Sequence, residues 1–394
     1  MRLFRLFLLF LFWQVAPVLS AVPADSLEVS LLTCEPGEEI YELYGHTALR
    51  CRDYSTGEDV VFNYGVFNFN TPHFVWHFTR GECDYEVRYV PFCYFYEEYA
   101  ERGSFVVEQV LNLTTEEKLH LLAALLWNCQ PENRKYRYNY LYDNCTTRVR
   151  DRIEEAVEGE VRYPDVPLKT YRTIIHEYTS PGHPWAQLGN DICLGAAVDT
   201  LIGVRAQMFA PFYLKAFADR AVIVEPGGES RPLVAETRYA VPPAERATAE
   251  EGVSPRPVFW SICVLLVVFT LFEIRSGRCF WPLDALLMAG QGVVGLVVTF
   301  LFFFSSHPSV DSNWQILILN PLPLVCLPRV VYCAIRRRFT RYHAVNLVWL
   351  TLFMLFSPFI PQEFSILIVP LAIILWTRSL RYILYYRKQC VQNR

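Results

Sequence analysis

The chain has 394 residues, 53% of them hydrophobic and 15% aromatic, and a mean hydropathy of +0.18. That is too apolar for an ordinary soluble protein, while 19% charged residues is too many for a chain lying in a membrane throughout. The net charge of −4, with no basic cluster away from the hydrophobic stretches, argues against a nucleic-acid partner.

In chain order, Arg2 and Arg5 precede an apolar run from Leu6 to Val15, and Val18-Leu19-Ser20-Ala21 offers small residues for cleavage. This predicts a signal peptide over residues 1–21 and an exported domain over 22–225. Leu27 to Thr33, His46 to Arg52, Asp59 to Tyr64, Tyr85 to Val90 and Phe105 to Leu111 alternate apolar and polar residues between turn signals, and read as an antiparallel sheet. Thr114-Thr115-Glu116-Glu117 is a capping box ahead of a helix over Lys118 to Trp127, and a second helix is predicted over Thr146 to Val157. Strands first and helices after give an α+β layout.

Residues 226–256 are rich in Pro, Gly, Glu and Ala and read as a linker. Beyond them lies an all-α membrane domain, 257–394, of about five transmembrane helices at 257–274, 283–304, 313–334, 344–361 and 364–382. The third contains Asn320-Pro321-Leu322-Pro323, which predicts a kinked, re-entrant or discontinuous span. Arginines follow spans one, three and five, whereas Ser305 to Asn313 and Ser357 to Glu363 carry no Lys or Arg. The positive-inside rule therefore places the C-terminus in the cytoplasm and those two loops outside, on the side of the exported domain.

Seven of the twelve cysteines lie in the exported part: Cys34, Cys51, Cys83, Cys93, Cys129, Cys145 and Cys193. An odd number leaves at least one thiol unpaired in a monomer, beside up to three disulfides of unspecified pairing. Cys145, in Asp143-Asn144-Cys145-Thr146-Thr147-Arg148, stands where a loop turns into a helix, so free N–H groups and the helix dipole favour its thiolate. His46, in Tyr44-Gly45-His46-Thr47, is the candidate base. The alternative is that Cys145 is half of a disulfide or a buried small hydrophobe. Asn63 or Tyr64 is the candidate to orient the imidazole, against a plain turn asparagine before Gly65. Tyr44, Asn144 and Arg148 are candidates for an oxyanion or phosphate contact, and His307 and Asn313 for a lipid head group or the soluble domain, against a solvated turn. His73 and His77 are four apart, but without the zincin glutamate aromatic packing is the stronger reading, and no metal or cofactor is predicted.

A histidine on an early strand followed much later by a cysteine at a helix start resembles the circularly permuted papain-like fold of the NlpC/P60 superfamily, shared by lecithin:retinol acyltransferase-like proteins. Tyr44-Gly45-His46-Thr47-Ala48-Leu49-Arg50, Phe62-Asn63-Tyr64-Gly65-Val66-Phe67, Leu111-Asn112-Leu113-Thr114, the block around Cys145, Asn313-Trp314 and Asn320-Pro321 are similar to the Bacteroidota lipoprotein N-acyltransferase family. The resemblance implies a multi-pass bacterial inner-membrane enzyme with its catalytic domain in the periplasm. It further implies a phospholipid acyl donor, a Cys145 thioester and a diacylated lipoprotein acceptor. Two other classes remain open: a periplasmic cysteine amidase or peptidase acting on peptidoglycan, and a non-catalytic membrane scaffold.

Overall fold

The computed structural model describes residues 26–68, 70–244 and 252–392; the expected signal peptide, the domain start at residue 22 and part of the expected linker lie outside the described residues. The exported part is built on seven antiparallel strands. These are β1 (Leu27–Cys34), β2 (His46–Asp53), β3 (Asp59–Val66), β4 (Asp84–Pro91), β5 (Val106–Leu111), β6 (Lys135–Arg137) and β7 (Val234–Val241). Their order across the sheet is β7-β5-β1-β2-β3-β4-β6. All five strands expected from alternation are present, and β1 and β2 sit in the middle, which is why both are buried along nearly their whole length.

The two faces of the sheet carry different cores because successive side chains point to opposite sides. On one face Leu31, Leu49, Phe62 and Tyr64 pack against Leu121 and Leu125 of helix α3 (Thr115–Asn128) and Val149 and Ile153 of helix α4 (Cys145–Ala156). On the other, Leu32, Cys34, Ala48 and Val61 meet Phe95 and Tyr99 of helix α2 (Phe92–Glu101). A six-residue helix, α1 (Phe74–Thr79), stands between β3 and β4. The capping box of α3 forms as expected, with Thr114 N–H donating to Glu117 at 2.7 Å and Glu117 N–H donating to the Thr114 hydroxyl at 3.3 Å.

The expected linker is corrected at its start. Val234–Val241 pairs with β5, Arg238 binds Glu108 at 2.9 Å and Glu28 at 2.6 Å, and Arg231 binds buried Glu117 at 2.7 Å. As an edge strand, β7 is exposed or half-buried at every residue but its last, so its sequence lacks the strong apolar alternation of a central strand.

Helices α5 (Tyr171–Thr179), α6 (Pro184–Cys193) and α7 (Pro211–Ala218) complete the domain. Five segments long and apolar enough to cross a membrane follow: Pro255–Ser276, Trp281–Phe304, Trp314–Ile335, Tyr342–Phe359 and Ile368–Cys390. Their helices are α8 (Pro255–Ser276), α9 (Trp281–Phe304), α10 (Leu322–Ile335), α11 (Tyr342–Phe356) and α12 (Ile368–Gln392). The third span is discontinuous: a short turn, Trp314–Leu317, is separated from α10 by Ile318–Pro321. Backbone released by that break must find partners in protein. Gln291 donates to the Ile318 carbonyl at 2.8 Å and Trp349 to the Leu317 carbonyl at 2.7 Å. Gly295 lets the segment approach, since a Cβ there would lie 2.4 Å from the Asn320 carbonyl. At the opposite end of the membrane domain, Arg378 is buried between Glu273 and Asp284, and Arg381 also pairs with Asp284.

Both loops lacking Lys and Arg dock on the exported domain, as their outward assignment requires. Ser306 binds the Arg80 carbonyl at 2.8 Å, and Gln362 reaches the Leu194 carbonyl at 3.3 Å. Residues 187–217 supply much of this seam. Asp191 and Asp199 hold buried Arg172 at 2.8 and 2.5 Å, and the Asp191 carbonyl accepts from Gln315 at 2.5 Å.

Candidate active site

The local sequence makes Cys145 the first residue of α4. Asn144 is its N-cap: the side-chain oxygen accepts from Thr146 N–H at 2.8 Å and Thr147 N–H at 2.9 Å, while Asn144 N–H donates to the Thr147 hydroxyl at 2.8 Å. This reciprocal cap fixes where the helix starts and sets the sulfur at its positive end. His46 begins β2, and Thr47, next to it, bonds Thr146 through their hydroxyls at 3.1 Å, tying the strand to the helix.

His46 Nε2 lies 3.1 Å from Asn63 Oδ1. An amide oxygen only accepts, so Nε2 carries the proton and Nδ1 is left for the sulfur, with which His46 also forms a hydrogen bond. Burial pushes the Cys145 thiol up, but the imidazolium charge, the His46 hydrogen bond, the Thr47 backbone N–H and the Thr146 hydroxyl outweigh it, and the net shift is downward. For His46, burial pulls the pKa down, and the Cys145 thiolate, its hydrogen bond and Asn63 more than offset this, so it rises. Opposite shifts of this kind favour a thiolate–imidazolium pair. Cys145 is only half-buried, and it and the other eleven cysteines are all free, so none of the three permitted disulfides forms.

Gly65 keeps the space beside the sulfur open. It lies where β3 slips register against β4, at φ +85°, and a Cβ there would stand 3.6 Å from Cys145 Cβ and 3.8 Å from the Tyr138 ring.

Residues 14–177 match the Lnb N-terminal periplasmic domain, and residues 247–389 match the Lnb transmembrane domain. The chain belongs to the Lnb family. No curated protein and no solved structure matches it. Family membership and the five spans make it a multi-pass inner-membrane protein with its α+β domain in the periplasm. In this Lnb-family chain Cys145, His46 and Asn63 come together, whereas the other residues singled out from sequence have partners elsewhere.

Asn144 spends its amide nitrogen on the Tyr140 and Phe209 carbonyls at 2.8 and 2.9 Å as well as its oxygen on the cap, which leaves no atom for an oxyanion. Tyr44 packs on Tyr140 and Tyr178, accepts from Asn190 at 3.0 Å, and burial pushes its phenol up to about 12. Tyr64 points to the opposite face from Asn63 and donates to Asn128 at 3.0 Å. Arg148 is held by Asp143 at 2.6 and 2.8 Å and lies over the Tyr136 ring. Asn313 is buried in the seam, donating to the Ile192 carbonyl at 2.8 Å, and His307 bonds the Phe78 carbonyl at 2.6 Å, so both meet the soluble domain. His77 faces Glu82 at 3.7 Å, while Phe74 and Phe78 beside it pack against other rings. Thr47 and Thr146, which act on the sulfur, were not singled out from sequence; their adjacency to His46 and Cys145 is the only signal they carry.

Proposed function

We propose that this chain is a lipoprotein N-acyltransferase in which Cys145 carries the acyl group as a thioester. The observation that carries the reading is the Cys145–His46–Asn63 constellation, in a periplasmic domain held against the membrane. Family membership supports the same chemistry.

Cys145 thiolate attacks the carbonyl carbon of a phospholipid acyl ester. The tetrahedral adduct collapses with cleavage of the acyl carbon–oxygen bond, and the departing alkoxide takes the proton held on His46, releasing a lysophospholipid. The α-amine of a diacylglyceryl-cysteine then attacks the thioester. His46 takes a proton from that amine, the acyl carbon–sulfur bond breaks, and an amide and the thiolate remain. Asn63 keeps the imidazole oriented and stabilises its charged form. The Cys145 backbone N–H, first in the helix and outside the Asn144 cap, is the oxyanion donor we assign. Because both lipids occupy the outward leaflet, holding the domain on the membrane supplies the proximity that this two-lipid reaction needs.

Mass spectrometry of lipoproteins from cells whose only copy carries Cys145→Ala or His46→Ala tests the reading. Diacyl lipoproteins with free α-amines are expected. Undiminished triacylation in both would reject it, and release of stem-peptide fragments by the wild-type chain would move the activity to peptidoglycan.

A further inference from the structure

Helix α1 is an apolar segment, FVWHFT, with no buried residue. Val75, Trp76 and Phe78 are 75, 52 and 48% exposed, an arrangement that is costly for a soluble surface. Its position explains the exposure. Trp76 packs on Phe300 near the outer end of span α9 with ring centroids 5.4 Å apart, and Phe78 meets His307 in the adjoining outward loop at 5.3 Å. Gly81, at φ +71°, lets the end of α1 abut that loop, where a Cβ would lie 2.7 Å from the His307 nitrogen. Phe303 and Phe304, also strongly exposed, end the same span. The helix therefore lies at the outward edge of the bilayer's apolar band.

Behind α1 a file of stacked rings leads inward. Phe78, Phe74, Phe67, Tyr85 and Tyr138 follow one another with centroids 6.1, 6.0, 5.0 and 4.2 Å apart. Tyr138 is the ring that flanks Gly65 beside Cys145. Tyr85 belongs to the buried core, while Phe67, Phe74 and Tyr138 pack against that core and are only partly buried, so the file runs along the core's margin rather than through its middle.

We propose that α1 is a lip immersed in the outward leaflet and that the ring file behind it is the track along which one acyl chain of a phospholipid reaches Cys145. The track deepens the acyltransferase reading and rests on it for its purpose. Its occupancy is nonetheless measurable without catalysis. An extended saturated chain fits because a file of flat rings offers continuous apolar contact, the only polar groups the rings carry being the Tyr85 and Tyr138 hydroxyls.

The test uses the full chain as Cys145→Ser in vesicles of phosphatidylethanolamine and phosphatidylglycerol, doped with phosphatidylethanolamine carrying a diazirine midway along one acyl chain. After irradiation, adducts are expected on the peptide containing Phe67 to Phe78. Adducts confined to the membrane spans would overturn the track. In the second arm, p-nitrophenyl acetate and p-nitrophenyl hexadecanoate acylate Cys145 in otherwise wild-type and Phe74→Ala chains. Phe74→Ala should lower the hexadecanoyl-to-acetyl ratio about tenfold, the scale set by losing one ring's apolar contact. An unchanged ratio would also overturn the track. If neither ester acylates the wild-type thiol, the catalytic reading fails, and the crosslinks still decide the track.

Discussion

Asn63→Ala is the substitution that bears most closely on how the thiol is activated. Asn63 accepts from His46 Nε2 at 3.1 Å and raises the His46 pKa. A hydrogen bond to a charged group is worth about 1.5–3 kcal/mol. At about 1.4 kcal/mol per unit, removing it should destabilise the imidazolium by roughly one to two pH units. The sign follows from the coupling: a less basic His46 offers less positive charge to the sulfur, so the apparent Cys145 pKa rises toward the ordinary thiol value of about 8.5. The assay is the pH profile of iodoacetamide alkylation at Cys145, read by peptide mass spectrometry. Wild type should reach half-maximal rate below the ordinary thiol value, Asn63→Ala roughly a unit higher, and Asn63→Asp, with a full negative charge on the imidazole, lower than Asn63→Ala. Coincident profiles for wild type and Asn63→Ala would refute the reasoning and reduce Asn63 to a strand residue beside a bulge.

In the same experiment Cys34, one strand away from His46, should stay unmodified in the folded chain, because burial pushes its thiol up to about 12; rapid labelling there would contradict the burial. Gly195→Ala should loosen the seam between the domains, since its Cβ would lie 2.4 Å from the Ser309 carbonyl. Acyl transfer from vesicle phospholipid is expected to fall by at least about tenfold, reflecting lost positioning. Cys145 alkylation should be little changed, so a parallel loss of both would show that the site itself had been disturbed. Arg378→Ala leaves Glu273 short of a buried partner and should cost about 3–5 kcal/mol. A thermal midpoint in detergent equal to wild type would show that the cluster contributes nothing to stability.

The chemistry-bearing pair was legible because each member is marked locally: Cys145 by the Asn-Cys-Thr-Thr helix start, His46 by its place at the head of an alternating strand. The five main strands and the α3 cap were legible for the same reason, since central strands and capping boxes leave period and side-chain chemistry in the chain. Edge strand β7 was not, because a strand with only its last residue buried imposes little alternation. Helix α1 was hidden differently: with six residues and none of them buried, it is too short to leave an amphipathic period. Asn144 and Asn313 show a further limit. Their residue type announces a polar partner, yet each amide nitrogen is spent on main-chain carbonyls, a choice made by tertiary packing. The outward loops without Lys or Arg, by contrast, were assigned by bilayer electrostatics alone, and they are the ones that meet the periplasmic domain.

The most direct measurement is to trap the covalent intermediate. The full-length chain is incubated with phosphatidylethanolamine of defined acyl composition and no acceptor, quenched in acid, and weighed intact and as peptides. The account predicts one acyl chain on Cys145, released by neutral hydroxylamine, absent from Cys145→Ala, and passed as an amide to an added diacylglyceryl-cysteinyl peptide. A chain that N-acylates that peptide with Cys145 replaced by alanine, or whose Cys145 is alkylated by iodoacetamide yet never acylated by phospholipid, would contradict it.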